Sequence, residues 1–509
     1  MHQATSLFLY PQSGQSGGNG RLSATWWARN SDGKLSCGLT AQRRDPYVLH
    51  LCTTVGHASL LICDAKNPGE WPVPPAIRGL LRWTRRIELD RLPLSGRNAF
   101  RDPEVPLRGM SPKKSHEVLR MVNYVEKLVS TPELRDVLHI VDVGAGQGYL
   151  ARALYNLGFH VLALDSDSSQ TKGAERRNLT AVRPLGGPHS PLRDNQPKSD
   201  VPRGSLSHRT VHITPASLRK AVSGWIAETP LHTGSLSSDG GAAAAPVPIL
   251  FVALHACGTL TPDIFRMLVS CDQASQILSG GPCARNQGWI PAGAVAVGCC
   301  YNLMEAEDFP LSREYSCLPH LTSAHFQLAA QIPARWLDTP QTAASAELSI
   351  KKVVYRALLE PFLSPATQPG TGPASSASRK RLGRLNDNSY DSFPHFLSRA
   401  FSKMGILLPS SAAVDGVPTA PEASAWAERR QRQLEVLHVL RCIVGPSIET
   451  AILCDRLVWL REALGQQKGK AASEMTRARH GWKVELVNLF DQTAGSARNF
   501  AIVMRPCRA

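Results

Sequence analysis

Residues 140–149 read Ile140-Val141-Asp142-Val143-Gly144-Ala145-Gly146-Gln147-Gly148-Tyr149, an apolar run that leads into three alternate glycines. Glycines let a backbone approach a ligand closely, and the N-terminus of a helix behind them offers unpaired amides. A dinucleotide-binding turn prefers the spacing G-x-G-x-x-G. Here Gly148 comes one position early, and Asp142 lies two residues before the first glycine. The run predicts a strand, a tight ligand-binding turn and a helix, with an ordinary βα turn as the alternative.

A second carboxylate strengthens the ligand interpretation. Asp165 ends the next apolar run, Val161-Leu162-Ala163-Leu164, and lies seventeen residues after Gly148. A carboxylate at the end of a second strand can accept hydrogen bonds from both hydroxyls of a ribose. Because the loop and the acid together are more specific than either alone, we expect a bound nucleoside cofactor. The residues expected to hold it are Asp142, Gly144, Gly146, Gly148 and Asp165.

Apolar runs and helical stretches alternate along the chain, which predicts βαβ units. Five runs favour a mostly parallel sheet. They are His139–Val143, His160–Leu164, Val211–Thr214, Ile249–Leu254 and Ala294–Gly298. A helix is expected to begin at Ser111-Pro112 and to run to about Val129, since Ser can cap a helix and Pro suits its first position. Residues 483–490 and 499–504 predict a closing antiparallel hairpin, which completes an α/β fold with seven strands.

Low-complexity stretches interrupt this pattern and suggest a domain organisation. Residues 1–70 show neither a helical nor a strand period, and we expect them to be disordered or unassigned. The remaining divisions are a lead-in at 71–110, a cofactor-binding core at 111–304 with insertions at 183–207 and 232–246, an insertion and linker region at 305–424, and a C-terminal helix and hairpin at 425–509.

The composition excludes several classes of protein. Of 509 residues, 43% are hydrophobic and 19% are charged, which excludes coiled-coil, collagen-like and wholly disordered chains. The longest apolar runs, near 249–256 and 292–304, fall short of the roughly 18 residues that a membrane span needs, so no membrane association is expected. The 57 basic and 41 acidic residues give a net charge of +16, which favours a polyanionic partner such as nucleic acid.

Cysteine usage bears on the compartment. The twelve cysteines lack the dense spacing of a secreted disulfide scaffold, so we expect a reducing intracellular compartment, cytoplasmic or nuclear. A stretch poor in acidic residues up to Cys63 leaves organellar targeting as an alternative.

Side chains that can carry chemistry follow the fourth and fifth predicted strands. Leu254-His255-Ala256-Cys257-Gly258 follows the fourth, and Gly298-Cys299-Cys300-Tyr301-Asn302 follows the fifth. Ligands of an open α/β sheet bind beyond the carboxyl ends of its strands, so both segments are expected near the reactive end of a cofactor. His255 is a candidate general base and Cys257 a candidate thiolate, with structural packing as the alternative.

These residues also match a zinc ligand set of one histidine and three cysteines. Adjacent cysteines, however, rarely both point inward, and the spacing lacks a C-x-x-C pair. We therefore expect no metal.

Six blocks of sequence carry a resemblance to a known family. They are Ser111-Pro112-Lys113-Lys114-Ser115-His116-Glu117, the loop at 142–148, His255-Ala256-Cys257-Gly258, Gly298-Cys299-Cys300-Tyr301-Asn302-Leu303, Asp455-Arg456-Leu457 and Ser496-Ala497-Arg498-Asn499-Phe500. Across about residues 71–504 the combination resembles the methyltransferase-like protein 25 family, including relatives named as rRNA adenine dimethylase domain-containing. The resemblance implies a class I methyltransferase fold, doubly wound and Rossmann-like, with S-adenosylmethionine as the cofactor and methyl transfer as the activity.

The segment after the fourth strand departs from one branch of that class. Amino-group methyltransferases carry an N/D-P-P-Y-type segment there, whereas this sequence has His255-Ala256-Cys257-Gly258, which weakens an rRNA adenine dimethylase interpretation. The H-x-C-G and Cys-Cys pattern is closer to tRNA ribose 2′-O-methyltransferases, although the metal-binding finger usual in that family is missing. We expect an RNA substrate, rRNA or tRNA, with His255 and Cys257 as the catalytic candidates.

Basic residues are candidates for phosphate contacts, with a solvated surface as the alternative. They are Lys113, Lys114, Arg379-Lys380-Arg381 and Arg429-Arg430. A second functional hypothesis is a non-catalytic scaffold that binds RNA or a protein partner. An NAD-dependent oxidoreductase is disfavoured by the glycine spacing.

Overall fold

The structure is a computed structural model. It describes residues 23–29, 35–42, 75–91, 109–180, 204–228, 245–277, 288–318, 320–330, 340–363, 382–405, 423–465, 481–492, 496 and 498–507. Residues 232–244 of the insertion predicted at 232–246 lie outside these ranges, and so does the basic cluster Arg379-Lys380-Arg381.

Nine strands and ten α-helices are formed by the described residues. In chain order they are β1 (Ser23–Arg29), β2 (Leu35–Gln42), α1 (Pro75–Ile87), α2 (Pro112–Val129), β3 (His139–Val143), α3 (Tyr149–Asn156), β4 (His160–Asp165), α4 (Ser168–Thr180), β5 (Leu206–Thr210), α5 (Pro215–Glu228), β6 (Val247–Cys257), α6 (Leu260–Ile277), β7 (Trp289–Cys299), α7 (Ser323–Ala329), α8 (Pro340–Leu359), α9 (Phe393–Met404), α10 (Ala423–Ala463), β8 (Trp482–Asn488) and β9 (Phe500–Pro506).

The chain divides into two compact units. One comprises residues 1–86 and 335–444, and the other comprises residues 87–334 and 445–509. The first unit has its own core, built where α8, α9 and the first part of α10 pack their aromatic side chains. In that core the rings of Tyr355 and Phe393 meet edge to face, with centroids 5.4 Å apart. A packed unit therefore occupies much of a region for which the sequence indicated an insertion and linker.

Strands β1 and β2 pair antiparallel in the same unit. The expectation that residues 1–70 hold no strand is wrong for these two segments. Apolar and polar residues do alternate in Leu35–Gln42. This period of two is typical of a strand, although no strand was predicted there.

A seven-stranded sheet organises the second unit. Its order is β5-β4-β3-β6-β7-β9-β8. The first five strands of this order run parallel, while β9 pairs antiparallel with both β7 and β8. This confirms the predicted α/β fold with a mostly parallel sheet and a closing hairpin.

Both faces of the sheet are buried, as a doubly wound fold requires. Ile249 and Phe251 of β6 face one core, which α5, α6 and the end of α10 cover. Leu250 and Val252 of the same strand face the opposite core, which α2 and α3 cover. Near-continuous apolar runs were therefore the right signal for the central strands.

The predicted position of one strand is wrong. Residues 211–214 were expected as the third parallel strand, but β5 comes earlier, at Leu206–Thr210, and its first two residues lie within the expected insertion at 183–207. As an edge strand, β5 pairs only with β4 and is half-buried, so its sequence Leu-Ser-His-Arg-Thr lacks the apolar run that marks a central strand.

The start of α2 follows the prediction. Ser111 caps the helix, since its hydroxyl accepts a hydrogen bond from the backbone amide of Lys114 at 3.3 Å. Pro112 occupies the first turn, and the helix ends at Val129.

One stretch of α10, within Trp426–Ala463, is long and apolar enough to cross a membrane by length and composition. The sequence predicted a helix in this region, within 425–509, but its apolar length was not counted among the longest apolar runs. Its most apolar window is 61% buried inside the protein, as is usual for a core helix, so it is weak support for a membrane span.

Gly258 lets the end of β6 approach the turn after β7. Its backbone has a φ of +56°, and a Cβ placed there would lie 2.6 Å from the carbonyl oxygen of Leu303. Gly146 has a similar φ of +53°, yet a Cβ there would meet nothing within 4 Å. Substitutions at the two glycines can therefore distinguish the energetic cost of a left-handed backbone from the cost of a steric collision.

We expect Gly146→Ala to lower the free energy of unfolding by about 1–2 kcal/mol, the cost of a left-handed conformation for an L-residue. Gly258→Ala should cost about 1–3 kcal/mol more, because the added methyl group collides with backbone. Urea unfolding midpoints at matched m-values would measure the difference. Equal losses in the two variants would contradict the close approach at Gly258.

Candidate active site

The glycine loop lies at the carboxyl end of β3, folded over the end of β4. The amides of Gly144 and Ala145 both donate to the carbonyl oxygen of Leu164, at 2.8 and 2.9 Å. The amide of Gly146 donates to Oδ2 of Asp165 at 2.8 Å. The loop and the acid that the sequence paired are therefore in direct contact.

Asp165 keeps acceptor capacity after these contacts. Its Oδ1 accepts from the amide of Asp167 at 2.9 Å, and its Oδ2 accepts from Gly146 at 2.8 Å. Each carboxylate oxygen can accept more than one hydrogen bond. The side chain can thus hold the loop and still accept from two ligand hydroxyls.

The three loop glycines differ in what surrounds them. All have positive φ, at +76° for Gly144, +53° for Gly146 and +68° for Gly148. A Cβ at Gly144 would meet Leu260 at 3.0 Å, and a Cβ at Gly148 would meet His208 at 2.9 Å. Only at Gly146, of the three, is the space open. Gly144 and Gly148 allow tight packing, and Gly146 leaves room for a ligand.

Asp142 lies beneath this loop and is 1% exposed. Its carboxylate is hydrogen-bonded to the backbone of Ala151, in the first turn of α3, so it helps to hold that helix terminus. Its Oδ2 has no hydrogen-bond partner among the described residues. Burial raises the pKa of Asp142 to about 7; the bond to Ala151 opposes that rise, and the nearby charge of Asp165 adds to it.

His255 sits near the end of β6, with 39% of its side chain exposed. Its Nε2 lies 3.3 Å from Oε2 of Glu117, a residue of α2 whose side chain is only 3% exposed. A carboxylate on one ring nitrogen fixes the tautomer and leaves the other nitrogen, Nδ1, to accept a proton.

Glu117 was not among the predicted site residues. Besides His255 it contacts Ser496, whose hydroxyl donates to Oε1 at 2.7 Å, and Lys113, whose Nζ lies 3.6 Å from the same oxygen. Burial alone would raise the pKa of Glu117, but the bonds from His255 and Ser496 and the charge of Lys113 outweigh it and hold the pKa below its ordinary value. Glu117 is therefore a buried, ionised anchor for His255.

Three cysteines converge beside His255. Cys257 and Cys299 are direct partners in the pairing of β6 with β7, and their sulfurs lie 3.1 Å apart. The sulfur of Cys300 joins them, so that all three lie within 4.8 Å of one another. The expectation that two adjacent cysteines would not point to one place is wrong. The chain turns sharply at Cys300, and this brings both side chains together.

That turn has an unusual backbone. Cys300 has a φ of 47°, the one positive φ among the non-glycine residues that the structure describes. Such conformations persist where surrounding contacts fix them, and they concentrate at functional sites.

The thiols of this cluster have unequal acidity. Hydrogen bonds from Cys299 and Cys300 and the charge of His255 lower the pKa of Cys257 to about 6, against burial and the charge of Asp165. The pKa of Cys299 is raised by its bond to Cys257 and by burial, and burial together with the charge of Cys257 raises that of Cys300. Of the three thiols, that of Cys257 is therefore the most easily ionised.

Buried ion pairs support the turn after Cys300. The hydroxyl of Tyr301 donates to Glu449 at 3.3 Å, and the guanidinium of Arg498 lies 5.3 Å from the centroid of the Tyr301 ring. Arg91 and Arg498 both pair with Glu449, at 2.7 and 3.4 Å. These contacts explain why the motif around Arg498 belongs to the site, although it lies about two hundred residues along the chain from Cys300.

Some of the basic side chains predicted to contact phosphates are engaged by other residues of the protein. Lys113 pairs with Glu117, and the Nζ of Lys114 lies 4.8 Å from the centroid of the Tyr149 ring. In the other unit Arg429 is exposed, and Arg430 lies over Trp426 at 5.2 Å.

The fold and the site can be compared with known proteins. Residues 113–287 match a family described as a methyltransferase domain. With the sheet order and the glycine loop, this shows a Rossmann-like α/β methyltransferase domain.

Two relatives among curated proteins carry the same name. The chain is 22% identical over 496 residues to a protein of Mus musculus named probable methyltransferase-like protein 25, covering 77% of this chain and 75% of that protein. It is 23% identical over 232 residues to the Homo sapiens protein of the same name, covering 42% of this chain and 32% of that protein. The resemblance to the methyltransferase-like protein 25 family is thereby confirmed. No solved structure matches the chain.

The buried Asp142 predicts a pH-dependent difference in stability. Because its pKa rises from an ordinary 3.8 to about 7 on folding, the unfolded chain loses this proton first as the pH increases. Asp142 therefore makes the fold progressively less stable between about pH 4 and pH 7, by up to about 4 kcal/mol. Asp142→Asn keeps an acceptor for Ala151 and removes the charge.

We expect the stability of Asp142→Asn relative to the parent to increase across that pH range. Urea unfolding at about pH 4, 5.5 and 7.5 would measure this difference. Asp136→Asn, at an exposed site, is the control and should show no trend. If the free energy of unfolding changed with pH in the same way for Asp142→Asn and the parent, folding would not raise the pKa of Asp142.

Proposed function

We propose that this protein is an S-adenosylmethionine-dependent methyltransferase that acts on RNA, either rRNA or tRNA. The observation that carries the proposal is the contact between the glycine loop and Asp165, made through the amide of Gly146 at 2.8 Å. It joins the two parts of a nucleoside-cofactor site in a chain that contains a methyltransferase domain.

The described residues fit this cofactor. Asp165 would hold the ribose hydroxyls, and the open side of Gly146 leaves space for the cofactor against the loop. Asp142 offers a buried Oδ2 to which none of the described residues is hydrogen-bonded, an acceptor suited to a donor group of the ligand's aminoacyl part. When bound, S-adenosylmethionine supplies a methyl group on a positively charged sulfur, which is already a good leaving group.

The protein's remaining tasks are to align the acceptor and to take its proton. His255 lies at the same edge of the sheet, on the strand next to β3, with Glu117 holding its Nε2. Its Nδ1 would accept the proton of an RNA hydroxyl during attack. Cys257, two residues further along β6, is the second proposed catalytic residue.

The charge of the chain supports RNA as the acceptor. A net charge of +16 suits a polyanion, Arg429 is exposed, and Lys113 remains half-exposed while it pairs with Glu117. The segment His255-Ala256-Cys257-Gly258 stands where amino-group enzymes carry N/D-P-P-Y, and this favours a hydroxyl over a base nitrogen.

Cofactor binding is the first test. We expect calorimetric titration of S-adenosylmethionine into the full chain to give micromolar binding, and NAD to give none. Asp165→Ala should weaken binding at least tenfold, because both ribose hydroxyls lose their acceptor.

Asp136→Ala, at an exposed turn, is the matched control and should bind as the parent does. Absence of heat with S-adenosylmethionine, from a folded sample, would contradict the enzyme proposal and leave the non-catalytic scaffold in its place.

Methyl transfer is the second test. With tritiated S-adenosylmethionine and total RNA fractions, we expect label in an rRNA or tRNA fraction. His255→Ala should lower turnover by about 10²- to 10⁴-fold, the usual contribution of a general base, and leave cofactor affinity within twofold.

Glu117→Gln should give a smaller loss of turnover, since it weakens the contact that orients His255 and leaves the imidazole itself in place. His320→Ala, at an exposed site outside the cluster, should change nothing. Full activity in His255→Ala would exclude His255 as the proton acceptor.

A further inference from the structure

The three thiols at the ends of β6 and β7 form a set of ligands that the proposed methyl transfer does not need. Cys257 and Cys299 face each other across two paired strands, and Cys300 reaches the same point from the turn. All three sulfurs lie within 4.8 Å of one another, and the structure records all three residues as free cysteines.

The geometry suits one thiophilic cation. Zinc binds cysteine sulfur at about 2.3 Å, so sulfurs that share one tetrahedral ion lie about 3.8 Å apart. The separation of 3.1 Å between Cys257 and Cys299 and the limit of 4.8 Å for the whole set lie on either side of that value. To share one ion, the sulfurs would have to change their separations by no more than about 1 Å.

The cluster offers three protein ligands rather than four within the described residues. Structural zinc sites are closed by four protein ligands, whereas catalytic sites have three and keep one position for water or substrate. His255 lies two residues before Cys257, at the same end of β6. An ion bound by Cys257 would therefore lie at the strand end that also carries the proposed proton acceptor.

The backbone supports a ligand role for Cys300. A non-glycine residue at a φ of 47° is unfavourable, and glycine would relieve it. The residue at this position is instead a cysteine whose sulfur lies close to two other sulfurs. It offers a ligand atom that glycine does not have.

We propose that Cys257, Cys299 and Cys300 bind one zinc ion whose fourth position is open to water or to the methyl acceptor. This inference goes beyond the proposed function, and cofactor binding does not depend on it. Under this proposal Cys257 acts as a zinc ligand rather than as a free nucleophile.

The test is the zinc content of the full chain, purified in a phosphine reductant and dialysed against a weak chelator. We expect about one zinc per chain by mass spectrometry. Replacement of zinc by Co²⁺ should give a thiolate-to-cobalt charge-transfer band and the visible absorption of a tetrahedral ion.

Cys300→Gly is the decisive variant, because it removes a ligand and relieves the strained backbone. We expect at least tenfold weaker retention of zinc with an apo-protein melting temperature equal to or above that of the apo parent. Cys257→Ser should also lose zinc. Cys317→Ser, at an exposed cysteine outside the cluster, is the control and should retain it.

Three outcomes would overturn the proposal. They are less than 0.2 zinc per chain after loading, full zinc retention in both Cys257→Ser and Cys300→Gly, or recovery of the native protein with a Cys257–Cys299 disulfide. Titration of S-adenosylmethionine into the same samples keeps the two proposals separate. Absence of zinc from the parent chain with intact cofactor binding would contradict this inference alone, and bound zinc in a parent chain that does not bind S-adenosylmethionine would contradict the proposed function alone.

Discussion

The parallel pairing of β3 with β4 on one side and with β6 on the other is the constraint on which the candidate site depends. These registers bring the carboxyl ends of three strands to one edge. There β3 delivers the glycine loop, β4 delivers Asp165, and β6 delivers His255 and Cys257. Because the order of strands reverses direction at β3, a crevice opens outside its carboxyl end, which is where open α/β sheets bind their ligands.

Buried charges then fix what the sheet brings together. Glu117, Glu449 and Asp455 are each at most 2% exposed, and each has partners from segments remote in sequence. Asp455 accepts from the amides of Leu311 and Ser312, at 2.8 and 2.9 Å, and so holds the loop after the Tyr301 turn. Breaking one member of such a pair leaves an uncompensated charge in the interior, which costs far more than the pair contributes. The site is therefore rigid where its motifs lie furthest apart in the chain.

Much of this arrangement could be predicted from the sequence, for a physical reason. The central strands are buried on both faces, so Ile140–Val143 and Ile249–Leu254 read as apolar runs, and the glycine loop and Asp165 follow from strand ends. The edge strand β5 was misplaced because its half-buried residues carry no such run.

Long-range contacts left no comparable signal. Nothing in the spacing of Glu117 and His255 shows that α2 packs against the end of β6, and the convergence of Cys299 with Cys300 depends on one left-handed residue. The core of the first unit was missed because its aromatic residues are spread over helices between low-complexity stretches.

The bond from Gly146 to Asp165 has a consequence for how a ligand would be received. The carboxylate proposed to hold the ribose is also the group that holds the loop in shape, so the binding surface is ordered without a ligand. A preorganised surface loses little conformational entropy on binding, which favours affinity from few contacts. In kinetic terms, association then needs no slow folding of the loop. Differences in affinity between related ligands should therefore arise mainly from how quickly each ligand dissociates.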